Sequence, residues 1–420
     1  MTTLAIIGAG IAGLGCAHFL HEKFDLTIFE QNDYAGGHTN TITVEENGRA
    51  VPIDTGFMVY NEVTYPNLTR LFRELNVETK PTSMSFSVQH APSEIEYNGT
   101  NWNGLFAQRK NLARPRFWKL LAQINRFNRE AVATLDDAKF ANHTVGDYVA
   151  ARGYGDDFLN LFLVPMSSAV WSTPPEKMIE FPAVTLLRFF HNHGFLGLHT
   201  QHPWRTVVGG AKSYVEKMSA PWRERVLLKN PAVRVTRETN RVRVLTANGA
   251  ATVFDKVIFA THADQALRLL GDPTELETNL LREFHYQPNT AMLHTDPVFM
   301  PKSRRAWASW NYRIDRDGCP STHYWMNSLQ GVSRRENYFV SLNSHDKIAP
   351  PRVLRRLEYE HPLFSLGAIA AQKELPRLNR VAREQTTCFC GSYFKYGFHE
   401  DAFTSALECV RAITGDALWM

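Results

Sequence analysis

Three glycines near the start of the chain, in the run Gly8-Ala9-Gly10-Ile11-Ala12-Gly13, have the spacing of a turn that carries phosphate. The chemistry belongs to the backbone. The first glycine permits the tight turn, the second lets the chain approach a pyrophosphate, and the third lets the following helix pack on its strand. A helix starting there offers N–H groups and the positive end of its dipole to an anion. Glu30 follows about 20 residues on, where a carboxylate accepts hydrogen bonds from ribose hydroxyls.

Such a turn works only if the flanking elements hold it. Leu4-Ala5-Ile6-Ile7 is a short apolar run, as expected of a buried parallel strand. Leu14, Ala17, His18 and Phe19 continue at helical spacing to Leu20, and a second run, Leu26 to Phe29, ends in Glu30. A lone G-x-G-x-x-G carries little weight, but here strand, helix, second strand and terminal acid agree. The reading is an α/β protein with a Rossmann-like parallel sheet flanked by helices. Resemblance carried by segments farther along the chain implies, in addition, a mixed α+β domain inserted in segments.

The 420 residues leave room for two domains. An apolar fraction of 44% and a charged fraction of 21% are those of a globular chain. The net charge of +4 is mild, and Arg and Lys occur mostly in ones and twos, which argues against nucleic-acid binding. Five cysteines without a Cys-x-x-Cys suggest neither a disulfide framework nor a dithiol centre, so a reducing cytoplasm is expected. No run of 18 apolar residues predicts a membrane span, and the N-terminus lacks the basic region of a signal peptide. No second G-x-G-x-x-G argues for a separate NAD(P)H domain.

After Glu30 the chain reads Gln31-Asn32-Asp33-Tyr34-Ala35-Gly36-Gly37-His38-Thr39. Farther on come Pro52-Ile53-Asp54-Thr55-Gly56-Phe57, then Val207-Val208-Gly209-Gly210-Ala211. Short strand-like runs follow at Val226–Leu228, Ala232–Val235, Val242–Val244 and Val257–Thr261. Near the end stand Cys390-Gly391-Ser392 and Gly397-Phe398-His399-Glu400-Asp401-Ala402, leading into a helix from Phe403 to Ile413. This order resembles the glutathione-reductase-like flavoproteins of the amine oxidase and phytoene desaturase branch. The resemblance implies FAD as cofactor, held by three separated segments, 1–79, 205–269 and 386–420, with 80–204 and 270–385 forming the substrate domain. It implies cofactor contacts from Gly8, Gly10, Ile11, Ala12, Gly13, Glu30 and Gln31. Further contacts are implied for Gly37, His38, Thr55, Gly56, Phe57, Val233 and Thr261, and at the C-terminal end for Gly391, Phe398, His399, Glu400, Asp401 and Ala402. The last helix would aim its N-terminus at the flavin ring. The chain departs from the pattern at His38, where relatives often carry Arg, and at Ser392, where they usually carry an acid.

Candidates for a proton-transferring group near the ring are Tyr60, Tyr396 and His399, from segments that the resemblance places there. Leu186-Leu187-Arg188-Phe189-Phe190-His191-Asn192-His193 reads either as a lip touching lipid or as a core helix. His191 and His193 do not share a helix face, His18 and His21 sit on a packing helix, and Cys388-x-Cys390 lacks neighbouring ligands in sequence, so no metal is assigned. Cys390 reads as a small buried residue or as a covalent flavin link.

Ala260-Thr261-His262-Ala263-Asp264-Gln265, Leu293-His294-Thr295-Asp296, Trp307-Ala308-Ser309-Trp310-Asn311-Tyr312 and Met326-Asn327-Ser328-Leu329-Gln330 are similar to a bacterial subgroup of NAD/FAD-binding proteins. That subgroup resembles the N-terminal flavoprotein half of plant cyclopropane fatty acid synthases and the desaturases of furan fatty acid formation. What it implies is desaturation of a fatty acyl chain, methyl-branched or phospholipid-bound, with hydride passing to flavin N5. The implied partners are a lipid or fatty acyl substrate and a lipid methyltransferase, with peripheral contact at the inner membrane face. Two other readings stay open: a flavin amine oxidase, and a non-catalytic flavoprotein partner of the methyltransferase.

Overall fold

A computed structural model describes residues 1–197, 200–344, 347–380 and 386–419. Among these residues the phosphate turn lies at the end of a five-stranded sheet. Its order is Val226–Leu227, Asp25–Phe29, Thr3–Ile7, Lys256–Phe259, Thr387–Phe389, and every pairing is parallel. Successive residues of the central strand point to opposite faces. Leu4 and Ile6 join the core under the helices Ile11–Leu20 and His399–Thr414. Ala5 and Ile7 join a second core, beneath the antiparallel strands Ala232–Glu238, Arg241–Thr246 and Ala251–Phe254. Burial on both faces explains why these strands read as continuous apolar runs. The two helices touch closely: a Cβ on Gly15 would lie 2.9 Å from the Phe403 ring.

A second, seven-stranded sheet runs Val353–Leu363, His285–His294, Phe339–Leu342, Pro320–Trp325, Trp310–Ile314, Phe86–His90, Ile95–Asn98. It is antiparallel except where Trp310–Ile314 pairs with Phe86–His90. The hairpin Thr41–Glu46 with Arg49–Asp54 lays Val51 and Ile53 on it. Buried Asp54 ties the pieces together. Its carboxylate accepts the Ala211 N–H at 2.9 Å and the Gln330 side-chain amide at 2.6 Å. Burial pushes its pKa up to about 6.

The segment between the sheets is helical, chiefly Pro115–Thr134, Val145–Arg152, the run from Asp156 to Trp171, and Ala183–Asn192. The first of these helices starts at Pro115, because proline is pre-shaped for the first helical position; Arg109–Ala113 forms a short 3-10 turn before it. Leu186, Leu187, Phe189 and Phe190 are buried, so Ala183–Asn192 is a core helix and not an exposed lip. The segment boundary drawn at 385 and 386 falls beside residues 381–385, which lie outside the described residues, as does Met420.

Candidate active site

The glycine turn forms one wall of a cavity of about 740 Å3, inside the range of roughly 300–1,000 Å3 usual for small-molecule sites. Gly10 precedes the helix Ile11–Leu20 without a capping side chain, and the first turn carries no acid. The leading N–H groups are thus left for a ligand. A Cβ on Gly10 would meet no protein atom within 4 Å, whereas one on Gly13 would sit 2.0 Å from the Gly8 carbonyl oxygen. Gly10 leaves space for a ligand; Gly13 serves the packing. Glu30 accepts the Ala9 N–H, the Asn32 N–H and the Asn32 amide, each at 2.8 Å. A carboxylate has about four acceptor positions, so one remains for a ribose hydroxyl. The Gly36 N–H donates to the Ala9 carbonyl at 2.7 Å, which clips the second glycine pair to the first turn.

The far end of the cavity is made by Gly391, Ser392, Phe398, His399 and Ala402, with Thr261 beside them. His399 opens the helix His399–Thr414 and stacks on Phe57, ring centroids 3.9 Å apart. Its Nε2 is 2.5 Å from the Tyr214 hydroxyl, which is 2.7 Å from Thr39 Oγ1. Burial drives His399 down to about 3 and raises Tyr214, so at neutral pH the pair is a neutral imidazole and a protonated phenol. Behind Phe398 lies an aromatic layer: Phe189 stacks on it at 4.8 Å, and Trp171 approaches to 5.8 Å.

The adjacent acids do not face the cavity. Glu400 accepts the N–H groups of Asn67 and Leu68, each at 2.9 Å, and so caps the helix Pro66–Glu74. Asp401 accepts the Phe398 N–H at 2.9 Å at the head of its own helix, and burial pushes it up to about 7.

Of the residues named from sequence, Gly8, Gly10, Ile11, Ala12, Glu30, Gln31, Gly37, His38, Thr261, Gly391, Phe398, His399 and Ala402 line the cavity. Glu400 and Asp401 are corrected to helix caps. Val233 is 45% exposed and does not itself line the cavity, whereas Pro231 and Ala232 just before it do; a contact there falls to the chain on its N-terminal side. Gly13, Thr55, Gly56 and Phe57 lie behind the wall. Thr55 donates to the Asn40 carbonyl at 2.9 Å, and a Cβ on Gly56 would strike the His38 carbonyl at 2.2 Å. Tyr60 is buried, donates to Thr79 at 3.2 Å and packs on Phe72, away from the cavity. Tyr396 accepts the Trp171 Nε1–H with its carbonyl at 3.1 Å, sets its ring edge-on to Phe189, and does not line the cavity.

Sequence reasoning missed the wall supplied by the seven-stranded sheet: Tyr286, Pro288, Glu358, Tyr359 and Glu360. Nothing local marks these positions. His262 and Gln265, from the run Ala260 to Gln265, also line it, and His262 stacks on Tyr286 at 4.1 Å. His38 stacks on Tyr359, and its buried Nε2 has no hydrogen-bond partner among the described residues.

Cys388 and Cys390 need a further correction. Sulfurs of Cys16, Cys390 and Cys409, from three elements, lie within 4.8 Å of one another. Hydrogen bonding within the group and burial keep Cys16 and Cys409 protonated. Cys390 turns to Cys16 at 3.7 Å and does not line the cavity, so it is not placed for a covalent flavin link.

The donor set fits a dinucleotide: a helix N-terminus for pyrophosphate, Glu30 for ribose, an unpartnered His38, and an apolar, uncharged far end. Over 78 residues, 18% of this chain and 16% of that protein, the chain is 36% identical to the 15-cis-phytoene desaturase of Synechococcus elongatus. It superposes on the cyclohexylamine oxidase of Brevibacterium oxydans IH-35A with a TM-score of 0.69, at 16% identity over 98% of both chains. The CLA-producing fatty acid isomerase of P. acnes gives 0.68, at 14% identity over 98% of this chain and 99% of that one. At these identities the structures share the fold. Residues 11–414 match the flavin containing amine oxidoreductases, and the chain belongs to that family, with FAD as its cofactor and oxidation–reduction as its chemistry.

Proposed function

We propose that this flavin oxidoreductase dehydrogenates a fatty acyl chain, and that the carrying observation is the aromatic layer of Phe398, Phe189 and Trp171 at the far end of its cavity. An ammonium substrate needs an anion or a polar cage. Here the two nearby acids, Glu400 and Asp401, are spent on helix N-termini. The exposed chemistry is a neutral His399, the Phe398 ring and the aromatic layer of Phe189 and Trp171 behind it. Such a surface suits methylene groups.

When bound, FAD supplies a two-electron hydride acceptor. The protein's part is to position. The apolar end excludes water around the C–H bond to be broken. His399 is a neutral imidazole whose Nε2 is tied to Tyr214 and backed by Thr39, so it fixes the wall beside the reacting bond, and the second proton leaves to solvent. The head of the helix His399–Thr414 stabilises negative charge developing nearby. The substrate thus loses one hydride and one proton, and a double bond forms.

Incubation of the FAD-loaded protein with extracted lipids is expected to remove two hydrogens from an acyl chain, read by mass spectrometry, with anaerobic bleaching of the flavin. Bleaching by monoamines or polyamines and not by lipids would replace this reading with amine oxidation. Co-purification with a lipid methyltransferase without bleaching by any lipid would favour the non-catalytic partner.

A further inference from the structure

The strongest feature outside the cavity is a surface, not a pocket of the redox site. Trp102, Leu112 and Trp118 are 70%, 51% and 45% exposed, far more than such side chains usually are. They are gathered in one shallow groove with Phe106 and Arg109. Trp102 and Phe106 stack in parallel with centroids 6.0 Å apart, and Trp118 approaches Phe106 to 5.3 Å. The Trp118 Nε1–H donates to the Leu112 carbonyl at 2.9 Å, so the patch is ordered by its own contacts.

The charge around it is one-sided. Residues 97–129 contain seven cations, Arg109, Lys110, Arg114, Arg116, Lys119, Arg126 and Arg129, and no acid. Against the overall charge of +4, the remainder of the chain therefore carries −3. Some of these cations are matched by acids from elsewhere: Arg116 by Asp157, Lys110 by Glu94, Arg126 by Glu130. Among the described residues Lys119 and Arg129 form no ion pair, although Lys119 lies near enough to Asp157 to help hold its carboxyl below the ordinary range. Arg109 is pinned at the groove rim by the Phe106 carbonyl at 2.8 Å and Asn103 at 2.7 Å. Along the helix Pro115–Thr134 the exposed positions include Trp118, Ala122, Asn125, Arg129 and Val132, spaced as one face.

We infer that the surface formed by residues 101–119 and the exposed face of the helix Pro115–Thr134 docks the protein on an anionic phospholipid bilayer. Tryptophans settle at the headgroup level, leucine enters the acyl boundary, and flanking Lys and Arg are drawn to the negative surface. A partner protein would meet the same apolar groove. What favours a bilayer is the ring of cations, since the attraction is non-directional and needs no complementary shape. This inference does not require the acyl-dehydrogenase reading.

The test is co-sedimentation of the full-length, FAD-loaded protein with vesicles of phosphatidylcholine alone or mixed with phosphatidylglycerol, at low salt and at high salt. Binding is expected only to the mixed vesicles and is expected to weaken with salt. K119E with R129E is expected to lower partitioning by about 25-fold or more, at about five-fold per cation lost. W102S with W118S is expected to lower it by at least about ten-fold at unchanged charge. K373E, an exposed reversal remote from the groove, is the control. Flavin absorbance and thermal melting show that each variant is folded. No binding of the wild type to mixed vesicles, or binding unchanged in both double variants, would overturn the inference. So would retention by single-stranded DNA in place of vesicles, or a concentration-dependent dimer lost in W102S/W118S. Vesicle binding without any acyl oxidation would sink the proposed reaction and leave the docking surface standing.

Discussion

Gly10 and Gly13 look alike in sequence and answer to different neighbours. Gly10 has an extended backbone that any residue adopts, and its Cβ position is open. Gly10→Val is therefore expected to abolish FAD retention while leaving the melting temperature of the apoprotein within about a degree. Gly13→Ala places a methyl group against the Gly8 carbonyl and is expected to destabilise the fold by about 1–3 kcal/mol, seen in both melting and expression. If both variants melted alike, the division of labour argued from these contacts would be wrong. His399 is held neutral down to about pH 3. A histidine held that low is a poor proton acceptor at neutral pH, so its part is to position, and the reduction rate is expected to show no acid limb at histidine's usual value. His399→Gln, which disturbs the link to Tyr214, is expected to slow flavin reduction by the lipid substrate by about ten-fold with FAD still bound. An acid limb near pH 6.5 in the wild-type reduction rate that vanishes in this variant would make His399 the base.

At the scale of elements, the molecule joins distant segments through helix ends. Glu400 closes the N-terminus of Pro66–Glu74, so one carboxylate couples the last helix of the site to a helix more than 300 residues earlier in the chain, as the sequence separations of 333 and 332 show. Glu400→Gln keeps the shape but loses the charge and one acceptor. It is expected to cost about 1–2 kcal/mol of stability, measured by denaturant melts, with little change in flavin content. A large loss of flavin at unchanged stability would restore Glu400 to the cofactor's contacts. The run Glu400-Asp401 is legible in the sequence as acids just ahead of the last helix. That one of them caps a different helix is not, because capping partners across space leave no mark in local spacing.

The whole molecule buries many neutral histidines. His38, His193, His294, His361 and His399 are held between about 3 and 4, and His323 well below its ordinary value, all mainly by burial. Unfolding frees each to take up a proton below its unfolded value of about 6.5, so each costs stability as pH falls from there. Asp54 and Asp401, raised to about 6 and about 7, act in the opposite sense: they favour the fold as pH falls. His18 and His90 are lowered as well, and Glu400 is raised, so depressed histidines outnumber raised carboxyls eight to three. The melting temperature is therefore expected to drop steeply between pH 6.5 and 4.5, and a flat or rising profile there would show that these histidines protonate without unfolding.

The same scale separates what was readable from what was not. The phosphate turn, Glu30, the parallel strands and the C-terminal helix were legible because each is set by short-range pattern: glycine spacing, apolar runs buried on both faces, helical periodicity. The resemblance joined them into a three-part FAD cradle. The cavity wall from Tyr286 to Glu360, the burial of the Leu186–Phe190 helix, and the meeting of Cys16, Cys390 and Cys409 depend on how separate elements pack. So does the exposure of Trp102, Leu112 and Trp118: an acid-free run of 33 residues could be counted in the sequence, but only packing decides which of its apolar side chains the core leaves out. Local pattern records what a residue's neighbours in the chain require; which surface meets cofactor, core or solvent is decided by contacts between residues hundreds of positions apart.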